Sequence, residues 1–290
     1  VLYDIIQECI QKHIEGISYK DEKKNEIINI YIDQKNGFLY GGNKNSSGTW
    51  MDSISEDSIP YTPRNGANIE IVALVYYIII QLNKLYSIGK YKYDYVLLND
   101  NNQYKYIQWA NKIKNNFEDY FFNKKNNIYK DYISSLEEED PKQYQLRPNV
   151  LIAMTISPDL FNKEHAAKYI SLAEKYLVNE KSLGIKTLCP KDKDYIITIN
   201  EKNKNNLHNG IEWIWLISYS FISKLIFYNK KSKEIYFNLY QKLILIQKRI
   251  NDSKWRSLAA CDGIIGQNNP YFTSPNSMSV ASILEIIHYL

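Results

Sequence analysis

Cysteine is scarce in this chain of 290 residues. The three that occur, Cys9, Cys189 and Cys261, lie far apart and have neither the spacing of a disulfide framework nor that of a zinc site. We therefore expect no disulfide and no bound metal, and we interpret the thiols as small core residues. This usage is typical of a reducing compartment and favours the cytoplasm.

A large excess of one charge is also missing. The formal net charge is +4, from 36 basic and 32 acidic side chains that are interspersed along the chain. Such a balance does not create the basic field that binds nucleic acid. Long hydrophobic runs are missing as well, because the longest, at residues 71–80, has about ten residues where a bilayer span needs about 20. We expect neither nucleic acid nor a membrane as a partner.

Helical periodicity runs through most of the chain, and strand signals are few. The opening segment places Ile6, Ile10 and Ile14 on one face and ends at Gly16, which we predict to cap the helix. Asn162 is the predicted N-cap of a second amphipathic run. Strand patterns are confined to two loop segments, GFLYGG and YIITIN. Further helices are predicted at residues 67–87, 103–122, 148–157, 162–178, 211–228, 232–250 and 276–290. The sequence therefore predicts an all-α domain of about eight helices.

Arginine is rare beside the abundant lysine. Only four occur, and two of them, Arg64 and Arg147, follow or precede proline in loops. A planar guanidinium with five donors suits a place where two oxygens must be held at once. These arginines are therefore candidates for substrate binding. The alternative is that each one braces a loop against carbonyl groups or a carboxylate.

Tryptophan is uncommon too, and it accompanies two carboxylates. Trp50 lies two residues before Asp52, and Trp213 directly follows Glu212. A flat apolar ring beside a carboxylate is what a sugar site needs, because sugar faces stack on aromatic rings. Simpler interpretations stay open: tryptophan in the core, Asp52 as a cap, and Glu212 in the first turn of a helix, where the helix dipole favours negative charge.

Six segments together resemble a known family. In order along the chain they are GFLYGGNKNSSGTWMD, IPYTPRNGANIEIVAL, YQLRPNVLIAM, LGIKTLCP, HNGIEWIW and SVASILEIIHYL. They resemble the C-terminal amylo-α-1,6-glucosidase region of eukaryotic glycogen debranching enzymes. The resemblance implies an (α/α)6 toroid, the fold of six-hairpin glycosidases, that removes single α-1,6-linked glucose from glycogen or a related branched α-glucan by inverting hydrolysis without a cofactor.

The same resemblance implies roles for individual residues. Asp52 falls on the proposed general acid of the family and Glu212 on the proposed general base. An inverting pair needs carboxyl groups roughly 6.5–9.5 Å apart, so we expect that separation. We also expect Trp50 to raise the pKa of Asp52 by removing water from it. The predicted substrate-binding residues are Asn43, Trp50, Arg64, Gln145, Arg147, His208, Asn209 and Trp213.

The length implies a partial barrel. About eight helices make four of the six hairpins that a toroid requires, so we expect residues 1–290 to be the C-terminal portion of the glucosidase domain. Further hairpins and an N-terminal glucanotransferase region of the same polypeptide are expected upstream.

The sequence also departs from the family pattern. Asn209 and Ile211 stand where the family has Gln and Pro, and Met278 stands where it has Trp. Losing the proline relaxes the backbone that aims Glu212. Two alternatives therefore remain: a catalytically weakened glucan-binding remnant, and an α-helical interaction scaffold in which the tryptophans and Arg147 are buried apart from one another.

Overall fold

The computed structural model describes residues 2–21, 26–136, 139–196, 207–228, 233–262 and 275–290. In these residues the chain forms eight α-helices: α1 (Leu2–Glu15), α2 (Ile69–Ser87), α3 (Tyr106–Phe121), α4 (Asn149–Ile156), α5 (Lys163–Leu177), α6 (Ile217–Phe227), α7 (Lys233–Asp252) and α8 (Ser277–Tyr289). The same residues also form short strands, namely β1 (Ile17–Asp21), β2 (Glu26–Ile32), β3 (Leu39–Gly41), β4 (Gly66–Asn68), β5 (Tyr95–Leu97), β6 (Gln103–Lys105), β7 (Phe122–Asn123), β8 (Ile128–Tyr129), β9 (Tyr132–Ser134), β10 (Ile185–Lys186) and β11 (Glu212–Trp213).

The ends of the helices follow the predicted capping signals. Gly16 has a φ of +91° directly after α1, and its N–H donates to the carbonyl of Lys12 at 3.0 Å, as expected of a C-terminal glycine. The side chain of Asn162 accepts hydrogen bonds from the backbone N–H groups of Glu164 and His165 at the start of α5. Both predicted caps are confirmed.

The prediction of an all-α domain was wrong in one respect, because an antiparallel sheet of five strands lies in the first half of the chain. Its order is β1-β2-β3-β4-β9. Three of these strands come from the segment 17–66, which we had interpreted as a loop. The signal was present in β2, where Ile28 and Ile32 are buried while Ile27 and Tyr31, which alternate with them, are exposed. The predicted strand in GFLYGG is β3, whereas most of YIITIN lies outside the described residues.

The helices form the main hydrophobic core. α2 packs against α3 and α4, and α4 packs against α6, which in turn contacts α5, α7 and α8. α4 is the centre of this arrangement, since its residues from Asn149 to Met154 are all buried. Because the loops that precede α2, α4 and α6 carry the predicted site residues, this packing brings those loops to one region of the domain.

The longest apolar run of the sequence lies in α2. The apolar run at residues 71–80 is part of a helix of 19 residues, which is long and apolar enough by length and composition to cross a membrane. In the structure this helix contributes buried side chains such as Ile69, Val72 and Ile79 to the core. Its contacts with α3 and α4 are those of a core helix of a folded domain.

Gly66 provides a test of the sheet. It has a φ of +140°, and a Cβ placed on it would lie 1.9 Å from the carbonyl oxygen of Ile133 in β9. We expect Gly66→Ala to lower the free energy of unfolding by about 2 kcal/mol or more, because both the backbone conformation and the strand contact are lost. A urea titration would measure the loss. Gly48→Ala is the matched control, since a Cβ there meets nothing within 4 Å. Equal stability of the two variants would contradict the strand pairing.

Candidate active site

Four aromatic side chains from two distant parts of the chain meet in one cluster. We call Trp50, His208, Trp213 and Trp215 the aromatic cluster. The ring of Trp50 meets the other three edge to face, with centroids 5.1 Å from His208, 6.1 Å from Trp213 and 5.0 Å from Trp215. The rings of His208 and Trp213 lie parallel, with centroids 6.0 Å apart. The scaffold alternative predicted that Trp50 and Trp213 are buried apart from each other. They are instead in contact.

Asp52 lies at the exposed edge of the aromatic cluster. Its side chain is 75% exposed, and Nε2 of His208 lies 3.6 Å from its Oδ1 atom. The contact with His208 lowers the pKa of Asp52 below its ordinary value, and partial burial opposes this only in part. We had predicted a raised pKa from desolvation by Trp50. That prediction was wrong in sign, because the contact with His208 outweighs the desolvation of a largely exposed carboxylate.

A chain of buried polar contacts holds Trp50 in place, and we call it the buried network. The indole Nε1 of Trp50 donates to Oδ1 of Asn149 at 2.8 Å, and the amide of Asn149 donates to Oδ1 of Asp131 at 2.8 Å. Nε of Arg64 lies 2.7 Å from Oδ2 of Asp131. The other end of the guanidinium donates to both carboxylate oxygens of Glu70, at 2.5 and 2.7 Å. The network thus connects the loop of Asp52 to the first turn of α2.

Arg64 has a structural role in this network. In addition to Glu70 and Asp131 Oδ2, its guanidinium donates to the hydroxyl of Thr49 at 3.4 Å and to the carbonyl of Asp131 at 2.9 Å. The four N–H groups of its two terminal nitrogens are therefore used, Nε faces Asp131 in the ion pair, and the side chain is buried. Our prediction that Arg64 orients sugar hydroxyls does not fit this geometry. The alternative interpretation, an arginine that braces a loop against carboxylates, describes it.

Arg147 is used in the same way on the other side of the site. Its guanidinium donates to Oε1 of Gln145, to the carbonyls of Thr187 and His208, and to Oδ1 of Asn209, at distances from 2.5 to 3.1 Å. The side chain is buried, and no donor remains for a ligand. Arg147 therefore joins three loops and fixes the backbone that carries His208. Its predicted direct contact with substrate is not what the structure describes.

Several predicted substrate-binding residues line a common pocket of about 450 Å³. Gln145 and Asn209 contribute to its wall beside the two braced arginines, and neither Asp52 nor Glu212 is among the described residues around it. The remaining wall consists of Pro60, Tyr61, Thr62, Pro63, Tyr132, Asp140, Lys142, Lys193, Asp194 and Ile196. The pocket is polar and large enough for a sugar ring.

Asn43 lies in a different contact. Its side-chain amide donates to Oε2 of Glu26 at 3.2 Å and to the carbonyl of Ile27 at 3.5 Å, both in β2. Its Oδ1 atom accepts from the backbone N–H of Asn45. The glycines beside it are explained by the fold, since Gly41 pairs with Ile30 and Gly66 in the sheet. The structure therefore assigns Asn43 to the turn after β3 and not to the aromatic cluster.

Glu212 is in a strand and not in the first turn of a helix, as we had predicted for residues 211–228. β11 pairs with β10, so that Glu212 is opposite Lys186, and the N–H of Asp262 donates to the carbonyl of Glu212 at 3.1 Å from the other side. A 3₁₀ turn at Ile214–Leu216 then leads into α6. Gly184 makes this pairing possible, because a Cβ on it would lie 2.7 Å from Glu212 backbone and Cβ atoms.

The carboxylate of Glu212 is almost completely enclosed. The residue is 1% exposed, and Nζ of Lys186 lies 2.7 Å from its Oε1 atom. Apart from this ion pair, neither carboxylate oxygen has a hydrogen-bond partner among the residues that the structure describes. The expected separation of Asp52 and Glu212 stays a prediction.

Comparison with known proteins identifies the domain. The sequence matches the family profile described as Amylo-alpha-1,6-glucosidase over residues 1–287. The chain belongs to the amylo-α-1,6-glucosidase family. It is also similar to the glycogen debranching enzyme of Saccharomyces cerevisiae, with 29% identity over 346 aligned positions. That alignment covers 100% of this chain and 22% of the yeast protein, so the chain spans about a fifth of its relative.

Two departures from the amylo-α-1,6-glucosidase pattern have clear positions in the structure. Ile211 is buried in a small cluster with Ala260 and Cys261, so the isoleucine replaces a rigid proline with apolar packing. Met278 lies in the first turn of α8 and is 52% exposed. The first change lies directly before the strand that carries Glu212. The second leaves a flexible side chain at the surface where the family has a flat ring.

Sequence reasoning missed four residues of this amylo-α-1,6-glucosidase site. Glu70, Asp131 and Asn149 form the middle of the buried network, and Lys186 pairs with Glu212. Glu70, Asn149 and Lys186 lie inside segments that carry the family resemblance. A lysine between isoleucine and threonine in an otherwise apolar stretch was a usable signal, because lysine is rarely buried unless it is paired.

The buried network predicts a large cost for removing Arg64. Arg64→Met leaves Glu70 and Asp131 charged and without their partner in the core, so we expect the free energy of unfolding to fall by about 3–5 kcal/mol. Chemical denaturation would measure it. Arg256→Met is the matched control, because Arg256 is exposed and its one side-chain hydrogen bond among the described residues is to the carbonyl of Asn251, so its loss should cost less than about 0.5 kcal/mol. A loss below 1 kcal/mol in Arg64→Met would contradict the network.

His208 predicts a pH dependence of stability. Burial lowers the pKa of His208, although Asp52 opposes the shift. The unfolded chain therefore binds a proton first as the pH falls below about 6.5, and the free energy of unfolding decreases in that range. His208→Gln should remove this part of the acid sensitivity, which urea midpoints between about pH 7 and pH 5 would show. His288→Gln, with an exposed side chain, should keep the parent profile. The contribution of Asp52 lies at lower pH, below its ordinary value of 3.8. Equal slopes for the parent and His208→Gln would contradict the assignment.

Proposed function

We propose that this domain is a glycoside hydrolase that removes single α-1,6-linked glucose residues at the branch points of glycogen or a related α-glucan. Family membership supports the reaction class. We propose further that the domain is part of an (α/α)6 toroid and acts in the cytoplasm, in the same polypeptide as a glucanotransferase region. The similarity to a much longer glycogen debranching enzyme supports that arrangement.

The contact between Trp50 and Trp213 carries the proposal. These two rings come from loops that are far apart in sequence, and their centroids are 6.1 Å from each other. Each tryptophan lies within two residues of a carboxylate that the chemistry needs. Aromatic rings supply the stacking surface for a sugar, and Gln145 and Asn209 lie at the wall of the nearby pocket.

In the proposed mechanism the two carboxylates have opposite tasks. Asp52 donates a proton to the glycosidic oxygen as the bond between that oxygen and the anomeric carbon breaks. Glu212 accepts a proton from a water molecule whose oxygen attacks the anomeric carbon from the opposite face, so the configuration inverts. Burial of Glu212 excludes other water molecules from the carboxylate, and binding of the sugar admits the water molecule that reacts.

Asp52 must change its protonation state on binding substrate. In the free domain the contact with His208 lowers the pKa of Asp52, and the side chain faces water. A glucan that covers the exposed edge of the aromatic cluster removes this water, and desolvation raises the pKa of a carboxyl group. We propose that binding creates the protonated acid, which restricts proton donation to the complex with substrate.

Two observations favour a second candidate function, a glucan-binding remnant. Asp52 has a lowered pKa where a general acid needs a proton, and Met278 is exposed where the family has an aromatic ring. Such a remnant would bind branched glucan through the aromatic cluster without hydrolysing it. Its binding would not change when either carboxylate is neutralised.

The decisive experiment measures glucose release from a dextrin whose branches are single α-1,6-linked glucose residues, by the polypeptide that carries this domain. We expect Asp52→Asn and Glu212→Gln to lower kcat by about 10²–10⁴. Asp57→Asn, an exposed carboxylate in the same loop, is the matched control and should keep the parent rate. NMR should detect β-glucose as the first product, because an α-linkage is inverted.

Different results would separate the two candidates. Absence of glucose release by the parent protein, with glucan binding retained in both variants, identifies the binding remnant. Release that persists in either carboxylate variant contradicts the assignment of that residue.

A further inference from the structure

Lys186 is a buried cation with one carboxylate in reach. Its side chain is 11% exposed, and its Nζ atom lies 2.7 Å from Oε1 of Glu212. The two residues are opposite each other in the pairing of β10 with β11, so their side chains are on the same face. This contact is built into the backbone, because Gly184 lets the two strands approach and Asp262 binds the far side of Glu212.

We infer that Lys186 is the positioning residue of the proposed general base, and that it holds Glu212 as an ionised carboxylate in a fixed orientation. The inference rests on the proposed function, in which Glu212 must be ionised to take a proton from water. A charged carboxylate as enclosed as Glu212 needs a compensating partner, since burial without hydrogen bonds disfavours the charged form. The ammonium group of Lys186 is the compensation that the site contains.

Other charged groups near Glu212 are less suited to this role. Lys242 of α7 is buried nearby, but its ammonium group donates to the carbonyls of Asn179, Glu180 and Ser182. It therefore holds the loop before β10 and contributes to Glu212 only through space. The ion pair of Lys186 is the direct contact.

The acidic and phenolic neighbours also leave Lys186 as the main partner. Asp262 is paired with Arg249 at 3.2 Å and accepts a hydrogen bond from the N–H of Leu183, so its charge is compensated separately. Tyr195 lies close enough for the charge of Glu212 to raise the pKa of its phenol. A neutral phenol does not compensate a carboxylate charge in the way that an ammonium group does.

The arrangement divides two tasks in the reaction. Lys186 contacts Oε1 of Glu212, and Oε2 is left without a partner among the described residues. Because Lys186 occupies Oε1, we assign Oε2 to the attacking water. When the water proton moves to Glu212, Lys186 keeps its own proton and the pair gains one positive charge. Asp52 balances this charge, because it becomes negative when its proton moves to the glycosidic oxygen.

The test is the pH dependence of kcat for glucose release by the polypeptide that carries this domain. The acid limb of this profile is the low-pH range in which kcat falls because the general base is protonated. We expect Lys186→Met to move the acid limb to higher pH by about 1–3 pH units, because a nearby opposite charge lowers the pKa of a carboxyl group by that amount. Below the limb kcat then falls about tenfold per pH unit. Lys186→Arg should restore the limb, since the charge is kept. KM should change little in either variant.

Lys224→Met is the matched control. Lys224 is also a buried lysine in an ion pair, but its partner is Glu174 of α5 and not Glu212. This variant should lose stability without any shift of the acid limb. If Lys186 has only a structural role, Lys186→Met will show the same pattern, namely a lower melting temperature and an unshifted acid limb. That result would overturn the inference.

The results distinguish the inference from the function on which it rests. No glucose release by the parent protein overturns both. Release with an unshifted limb in Lys186→Met overturns only the role of Lys186. If that variant does not fold, Lys186→Gln makes the same comparison, since it removes the charge and keeps a hydrogen-bond donor.

Discussion

The ion pairs of Arg64 with Glu70 and Asp131 are the interaction on which the candidate site depends. They join the loop before β4, the first turn of α2 and the residue before β9 at a single buried guanidinium. Through Asn149 the same contacts reach the indole of Trp50. Because a buried charge is tolerated only with its partners in place, the loop has one low-energy arrangement. This constraint fixes the position of Trp50 in the aromatic cluster.

The second half of the site is held by different chemistry. Arg147 binds backbone carbonyls, not carboxylates, and thereby fixes the segment around His208. Glu212 is fixed by strand pairing on both sides and by Lys186. Charge pairing on one side and backbone hydrogen bonds on the other meet at the contact between Trp50 and Trp213. A ligand at this contact would touch two separately stabilised halves.

Much of the helical framework could be predicted from the sequence, because helix periodicity and caps are local. Gly16 and Asn162 have the predicted roles for that reason. The five-stranded sheet was missed because its strands are short and their partners are distant, so no local window contains the pairing. Glu212 was placed in a helix for the same reason. Its strand exists only through contact with residues 185–186 and 260–262.

The scarcity of arginine correctly indicated that Arg64 and Arg147 belong to the candidate site. It did not indicate their role. Arg64 and Arg147 do lie at the candidate site, yet their donors are consumed by the protein itself. Whether a guanidinium faces a ligand or a buried carboxylate depends on tertiary contacts that spacing does not encode. The pairing of Lys186 with Glu212 depends on strand register and was equally hidden.

The buried network also has a consequence for cooperativity. Trp50 is connected through four polar side chains to the first turn of α2, which lies in the main core. The loop of Asp52 therefore cannot open far without exposing charges that the core encloses, and its local opening has nearly the free energy of global unfolding. Heating should then abolish the candidate site and the helical core in one transition, with no intermediate that keeps a folded core around a disordered Asp52 loop.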